Sequence, residues 1–179
     1  MTSHPDIKYR DPPLIEVVCE FRFAPMESRD LAIPGLIYSK IEDTFPIRRS
    51  RQQVRSETRP TDQGVDLQLQ STELAQFLNE QENAFIQVGP NLLSVNHLEP
   101  YPTWEKYKPL IQKGAEAYIR VVAPEHISRI GLRYINRIQI PQERVDLEEY
   151  FSFRPFVGPK LPQELSGFIV GIQSEYDGG

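Results

Sequence analysis

The sequence predicts an α+β fold in which a largely antiparallel sheet packs on one long amphipathic helix and one shorter helix. Several segments alternate apolar and polar residues, which is typical of strands with one buried face. One longer stretch repeats its apolar residues every three or four positions, which is typical of a helix that lies on a sheet. The predicted helices are 104–122 and 33–44, and the predicted strands are 14–23, a meander over 65–96, 127–140 and 168–176.

The bulk properties limit the class of protein. A chain of 179 residues with 39% hydrophobic and 25% charged residues has the size and composition of one globular domain, so we expect 1–179 to form a single α+β domain. The net charge of −5 argues against a general nucleic-acid coat. The sequence has no transmembrane-length apolar run, no signal peptide and only one cysteine, so it cannot form an internal disulfide. We therefore expect a cytoplasmic protein that does not bind membranes.

The predicted strand 14–23 shows the clearest alternation of the chain. Its apolar face consists of Ile15, Val17, Cys19, Phe21 and Phe23. The intervening positions are mostly charged, as expected for a half-buried strand. We interpret the cysteine on the apolar face as a core residue rather than a nucleophile, because burial among apolar groups raises the pKa of a thiol.

The predicted helix 33–44 has clear start and stop signals. Asp30 or Ser28 can cap it, and Pro34 suits its first turn, where the missing amide proton is not needed. Pro46 ends it.

The segment 47–63 carries five arginines and almost no apolar residues. The arginines are Arg48, Arg49, Arg51, Arg55 and Arg59. One interpretation is a contact with an anion or a nucleic acid. The favoured interpretation is a solvated, mobile connection, since no aromatic residue is interleaved for base stacking.

The meander over 65–96 begins with alternating apolar residues from Val65 to Leu69. The segment 71–83 is consistent with a short helix or with a strand followed by a turn, and we favour the strand because it continues the antiparallel pattern. Gly89-Pro90-Asn91 then separates two apolar runs and predicts a hairpin turn, because glycine and asparagine tolerate positive φ.

The predicted helix 104–122 presents an aromatic and aliphatic stripe that we expect to be buried against the sheet. The stripe consists of Trp104, Tyr107, Ile111, Ala115, Tyr118 and Val122. Thr103 is the expected N-cap. Pro109 predicts either a separate 3₁₀ first turn or a kink, because proline removes a helical hydrogen bond.

The predicted strand 127–140 carries the most suggestive feature of the sequence. Arg129, Arg133 and Arg137 recur at a spacing of four, which puts them in one row on one face of a strand. One interpretation is a surface that binds phosphates or an acidic partner. The alternative is cross-strand pairing with Glu16 and Glu20, if strand 14–23 is the neighbour.

The C-terminal part is less regular. Residues 146–151 predict about one helical turn, and 168–176 predict a strand. The chain stops directly after that strand, at Gly179. We therefore expect the natural protein to extend further.

Three blocks of sequence, in order, resemble a sporadically distributed, uncharacterised prokaryotic protein family. They are Pro-Pro-Leu-Ile-Glu-Val-Val-Cys-Glu-Phe-Arg-Phe (12–23), Ile-Gln-Val-Gly-Pro-Asn-Leu-Leu-Ser-Val-Asn (86–96) running into Tyr-Pro-Thr-Trp-Glu (101–105), and Gly-Leu-Arg-Tyr-Ile-Asn-Arg-Ile (131–138). The resemblance implies a prokaryotic, cytoplasmic protein of unknown function whose typical members are longer. It implies no activity, cofactor or catalytic residue.

Candidate catalytic groups are sparse. The three histidines are far apart in sequence, and no metal-ligand spacing or glycine-rich phosphate loop occurs, so we predict no metal and no cofactor. The best local cluster is His97, Glu99, Tyr101 and Trp104, which predicts a polar pocket near the start of helix 104–122.

The favoured hypothesis is therefore a non-catalytic binding module. It uses Arg129, Arg133 and Arg137, aided by Arg22, to contact an acidic protein or a nucleic acid. The alternatives are an enzyme with a pocket near His97, and a homo-oligomeric subunit whose exposed strand edges pair between copies.

Overall fold

The computed structural model describes residues 12–25, 30–61, 64–142 and 145–152 and positions 156, 158 and 160, with the backbone alone over 53–72. The elements are β1 (Leu14–Phe23), α1 (Ile33–Ile41), β2 (Ile47–Thr61), β3 (Gly64–Leu78), β4 (Ala84–Gly89), β5 (Leu92–Leu98), α2 (Trp104–Val122), β6 (Ile127–Asn136) and α3 (Leu147–Tyr150). The chain divides into two compact units, Met1–Ile138 and Gln139–Gly179. The predicted strand 168–176 lies outside the described residues.

The first unit is built on an antiparallel six-stranded sheet with the order β2-β3-β4-β5-β1-β6. β2 to β5 form a meander, and β1 lies between β5 and β6. The α+β fold predicted from the sequence is confirmed. Since β1 bridges the meander to β6, the N-terminal strand holds the sheet together.

One face of the sheet, which we call the helix face, packs on α1 and α2. Alternate side chains of β1, β4 and β5 enter one core with Ile37 and Ile41 of α1 and with Tyr107 and Tyr118 of α2. The ring of Tyr118 stacks on Phe23 with centroids 4.2 Å apart. Each buried aromatic ring removes roughly 150–250 Å² from water, so these rings supply a large part of the apolar burial.

The helix α2 lies close to the sheet at Gly114. A Cβ atom added there would lie 3.0 Å from the Cδ1 atom of Ile86 and 3.1 Å from the Cγ2 atom of Val95. The hydroxyl of Tyr107 donates to the carbonyl of Val95 at 2.6 Å. The glycine and the tyrosine together fix the distance between α2 and β5.

The predicted helix 104–122 has the predicted bounds, and Thr103 takes the predicted N-cap position. Its carbonyl accepts the amide of Tyr107 at 3.0 Å, but its φ is 84° and its side chain makes no cap bond. The chain is α-helical from Trp104 through Pro109, so the predicted separate 3₁₀ first turn is wrong. The predicted burial of Trp104 is wrong as well. Trp104 is 42% exposed, because it opens the first turn at the rim of the core rather than lying over it.

The prediction of a mobile connection at 47–63 was also wrong. Residues 47–61 form β2, which pairs with β3 along its length from Ile47 opposite Leu78 to Thr61 opposite Gly64. Backbone pairing needs no apolar alternation, so a polar strand gave no periodic signal. The favoured strand interpretation of 71–83 is confirmed up to Leu78.

Two predicted elements are shorter in the structure. The helix predicted at 33–44 ends at Ile41, where three turn residues follow. The strand predicted at 127–140 ends at Asn136. Its partner β1 starts at Leu14 after two prolines, which cannot donate to the ladder, so regular pairing stops there.

The second unit contains α3, a single helical turn. Its N-cap Asp146 accepts the amide of Glu148 at 3.0 Å, which confirms the predicted helical turn at 146–151.

Within the described part of the chain, no helix is long and apolar enough to cross a membrane.

We predict opposite effects of filling two helical glycines. Gly114→Leu forces a side chain into Ile86 and Val95, so it should lower the free energy of unfolding by about 1–3 kcal/mol. Gly35→Ala in α1 meets no described atom within 4 Å and should raise it by about 0.5–1 kcal/mol through helix propensity. Urea unfolding followed by circular dichroism measures both, and equal effects of the two changes would contradict the close approach of α2.

Candidate binding surface on β1 and β6

The strand pairing brings Arg22, Arg129 and Arg133 onto one face of the sheet. Arg22 lies directly opposite Arg129, and Arg133 lies directly opposite Val18. This face is opposite to the helix face, since the neighbouring positions Val17 and Cys19 point into the core.

Arg137 lies one residue beyond the end of β6. Its backbone amide still donates to the carbonyl of Pro13 at 2.7 Å, which ties this position to the start of β1. We call Arg22, Arg129, Arg133 and Arg137 the arginine face.

Three members of the arginine face are exposed and have no partner among the described residues. The side chains of Arg129, Arg133 and Arg137 make no hydrogen bond or ion pair with any described residue. The predicted alternative, pairing with Glu16 and Glu20, is therefore not observed among the described residues.

The geometry of β1 explains why the two glutamates are not paired with β6. Glu20 accepts from the Nε atom of Arg22 at 2.8 Å on its own strand, and it lies opposite Gly131, which has no side chain. Glu16 accepts from the Nδ2 atom of Asn96 at 2.7 Å. Glu16 is thus held by a residue of β5, on the side away from β6, and Glu20 is held by a residue of its own strand.

The other side of β6 is apolar and open. Ile130, Leu132 and Tyr134 lie on the helix face but are 61%, 46% and 45% exposed. Their partners on β1 are buried core residues. The buried core therefore ends at β1, and the apolar side chains of β6 lie beside it but remain exposed.

The middle of the sheet is buried on both faces. On the face away from the helices, Leu74, Leu78, Phe85 and Leu92 are buried. The arginine face occupies the exposed side at β1 and β6.

The four residues of the predicted pocket lie in different surroundings. His97 is buried on the helix face of β5, and its Nδ1 atom lies 2.6 Å from the carbonyl oxygen of Leu98. Glu99 is exposed after the end of β5, with its amide bonded to the carbonyl of Ile15. Tyr101 and Trp104 instead join an aromatic group at the start of α2.

This aromatic group connects α2 to β6. The rings of Tyr101 and Trp104 meet the ring of Tyr107 edge-on at 6.4 and 6.3 Å, and Tyr101 also meets Tyr134 at 6.0 Å. Burial raises the pKa of Tyr101, and the neighbouring Tyr134 hydroxyl adds to the shift. Burial likewise raises the pKa of Tyr107, so these phenols remain protonated donors at neutral pH.

A groove of about 660 Å³ lies elsewhere, between α1 and the helix face of β2 to β4. Its lining includes Tyr38, Phe77, Val88 and Tyr118, and Arg48 lies 4.9 Å above the ring of Tyr38. Burial raises the pKa of Tyr118 to about 12. Sequence reasoning missed this groove, because its basic wall comes from the polar strand β2.

No described residues form a group of three or more histidine, cysteine, aspartate or glutamate side chains able to hold a metal ion. Cys19 is buried on the helix face, as its sequence position indicated, and burial raises the pKa of its thiol.

Comparisons with known proteins give no match: no family model, no curated protein and no solved structure is similar to this chain. The resemblance to a sporadically distributed prokaryotic family therefore stays a prediction, and so does the enzyme alternative.

We predict that Tyr107→Phe lowers the free energy of unfolding by about 1 kcal/mol, because it removes the hydrogen bond to the Val95 carbonyl. Tyr118→Phe is the matched control. That ring is equally buried, but its hydroxyl makes no hydrogen bond to a described residue, so we expect a change below about 0.5 kcal/mol. Urea denaturation measures both, and equal losses would contradict a stabilising role of the Tyr107 hydroxyl.

We also predict that Cys19 reacts slowly with a thiol reagent in the folded protein. Its raised pKa lowers the thiolate fraction at any given pH below that of a free cysteine, and burial blocks access. Labelling with Ellman's reagent at mildly alkaline pH should therefore be slow and should accelerate on adding urea. Fast labelling without urea, at the rate of a short cysteine peptide, would contradict the buried position.

Proposed function

We propose that this chain is a non-catalytic binding module that uses the arginine face to contact an acidic partner. The observation that supports the proposal is that Arg129, Arg133 and Arg137 are exposed and unpaired among the described residues, while Glu16 and Glu20 beside them bond Asn96 and Arg22 instead. Guanidinium groups form charge-assisted, often bidentate bonds with carboxylates, so an unpaired set is suited to a partner that supplies them.

The backbone fixes the spacing of this set. Arg129 and Arg133 lie on a paired strand and are therefore about 13 Å apart along it, at roughly 3.3 Å per residue. Arg137 follows four residues later in the sequence, just beyond the end of the strand. A partner with carboxylates along an extended segment fits this row better than a single compact anion.

An acidic protein is favoured over a nucleic acid. Glu16 and Glu20 lie within the same face, and a duplex, with one negative charge about every 1.7 Å, places phosphates against them, whereas an acidic protein can place uncharged residues there. The positions of β1 and β6 on this face carry no aromatic side chain for base stacking.

We place this binding in the cytoplasm, consistent with a single buried cysteine.

The test is binding to poly-L-glutamate, with duplex DNA as the second probe. We predict that the wild-type chain binds poly-L-glutamate and that the affinity falls with added salt, because exposed charges are screened. The triple variant Arg129→Ala, Arg133→Ala, Arg137→Ala should bind at least about tenfold more weakly, since three exposed ion pairs contribute roughly 0.5–1 kcal/mol each. Fluorescence anisotropy at several salt concentrations measures both.

The matched control removes three positive charges from α2. Lys106, Lys108 and Arg120 are exposed there, and their triple alanine variant has the same net charge as the test variant. We expect it to keep near wild-type affinity. Equal losses in the two variants, or binding without a salt dependence, would contradict the arginine face. Tighter binding to duplex DNA than to poly-L-glutamate would show that the partner of the arginine face is a nucleic acid rather than an acidic protein.

A further inference from the structure

The strand β6 forms one edge of the sheet. Within the described residues it pairs with β1 alone, so its other side presents backbone amides and carbonyls without a strand partner. Ile130, Leu132 and Tyr134 add exposed apolar side chains along this edge. An edge strand with these properties is a template for pairing with another strand.

The sequence of β6 is complementary to itself about Leu132. If two copies of β6 pair antiparallel with the two leucines opposite each other, Ile130 lies opposite Tyr134 of the second copy on the helix face. On the other face Arg133 lies opposite Gly131 of the second copy, and Arg129 opposite Ile135. Apolar side chains then meet apolar ones, and no arginine is opposite an arginine.

Neighbouring registers lack this complementarity. An axis at Gly131 puts Arg129 opposite Arg133 of the second copy, and an axis at Arg133 puts this arginine opposite itself. Like charges directly opposite are destabilising, so the axis at Leu132 is favoured over both.

The register within each copy then adds charge complementarity across the pair. Glu20 lies opposite Gly131 in its own sheet, and Gly131 would lie opposite Arg133 of the second copy. The glutamate and the arginine are thus two strands apart, about 10 Å between their Cα atoms, with only a glycine between them. Arg22 bonds only the Oε1 atom of Glu20, and the Oε2 atom makes no bond to a described residue. The Oε2 atom can therefore accept from Arg133 of the second copy, whose long side chain reaches across the glycine.

The second arginine repeats this arrangement. Glu16 lies opposite Ile135 in its own sheet, and Ile135 would lie opposite Arg129 of the second copy. Each of the two arginines of β6 therefore shares a row with a glutamate of the other copy. The axis relates the two copies, so each row occurs twice.

We propose that two copies of this chain associate through β6, antiparallel about a two-fold axis at Leu132, with Arg133 of each copy binding Glu20 of the other. The inference rests on the proposed function, because it identifies a second copy as an acidic partner of the arginine face. It joins the two six-stranded sheets into one continuous sheet with α1 and α2 of both copies on one side.

The first test is the mass of the chain in solution. Multi-angle light scattering and sedimentation over a dilution series should show a dimer that dissociates to a monomer at low concentration. Leu132→Lys puts two ammonium groups together at the axis and should give a monomer throughout. Leu36→Lys, at an exposed leucine of α1, is the matched control and should leave the dimer intact. A wild-type monomer at every concentration, or a Leu132→Lys dimer, would overturn the inference.

The second test is a charge exchange that reports the register. Arg133→Glu should raise the dimer dissociation constant about tenfold, because two attractive pairs become repulsive. Adding Glu20→Arg to the same chain recreates both pairs with reversed sign and should restore most of the affinity. Arg133 is exposed, so its substitution is compatible with folding, which circular dichroism checks. No weakening in the single variant, or no recovery in the double variant, would overturn the proposed pairing.

The two proposals can fail separately. Leu132→Lys retains the arginine face. If this variant binds poly-L-glutamate through the arginines and the wild type is a monomer, the dimer is contradicted and the proposed function is supported. If the wild type is a dimer that weakens and recovers as the charge exchange predicts, but it does not bind poly-L-glutamate, the dimer is supported and the broader binding function is contradicted.

Discussion

The close seating of α2 on the sheet at Gly114 is the constraint on which the rest of the first unit depends. Because this position has no side chain, the helix approaches β4 and β5 closely enough for Tyr107 to reach the carbonyl of Val95 and for Tyr118 to stack on Phe23. The helix thus covers the middle of the sheet and β1. β6 lies beyond this cover, which is why its apolar residues are exposed, and within the described part of the chain its outer edge pairs with no strand.

Much of the fold was predictable, because local pattern and tertiary packing agree there. The alternation in 14–23 and the apolar spacing in 104–122 follow directly from one buried face, and both elements have the predicted bounds. β2 was missed for the opposite reason. Its strand is defined by backbone pairing with β3, and polar side chains leave no period-2 signal. The exposure of Trp104 depends on where the core ends, which no local pattern specifies.

The candidate surface was predictable only in part. The spacing of Arg129 and Arg133 predicted one row on one strand face, and the structure has that row. Whether the nearby glutamates would neutralise it depended on strand order and register. In the structure Glu20 bonds Arg22, two residues away on the same strand face, and Glu16 bonds Asn96, which is 80 residues away and which sequence spacing does not relate. The groove between α1 and β2 was not predictable for the same reason, since residues from distant segments form it.

The burial of β5 on both faces raises the question of how its alignment is specified. A strand with apolar residues on both sides can slip by one position at small hydrophobic cost. In β5 the far side carries Ser94 and Asn96, whose side chains bond each other at 2.8 Å, and the asparagine also bonds Glu16 on β1. A slip would turn both polar groups into the core without these partners. These contacts among Ser94, Asn96 and Glu16 therefore specify the alignment of β5 on β1, and β1 is the strand against which β6 pairs.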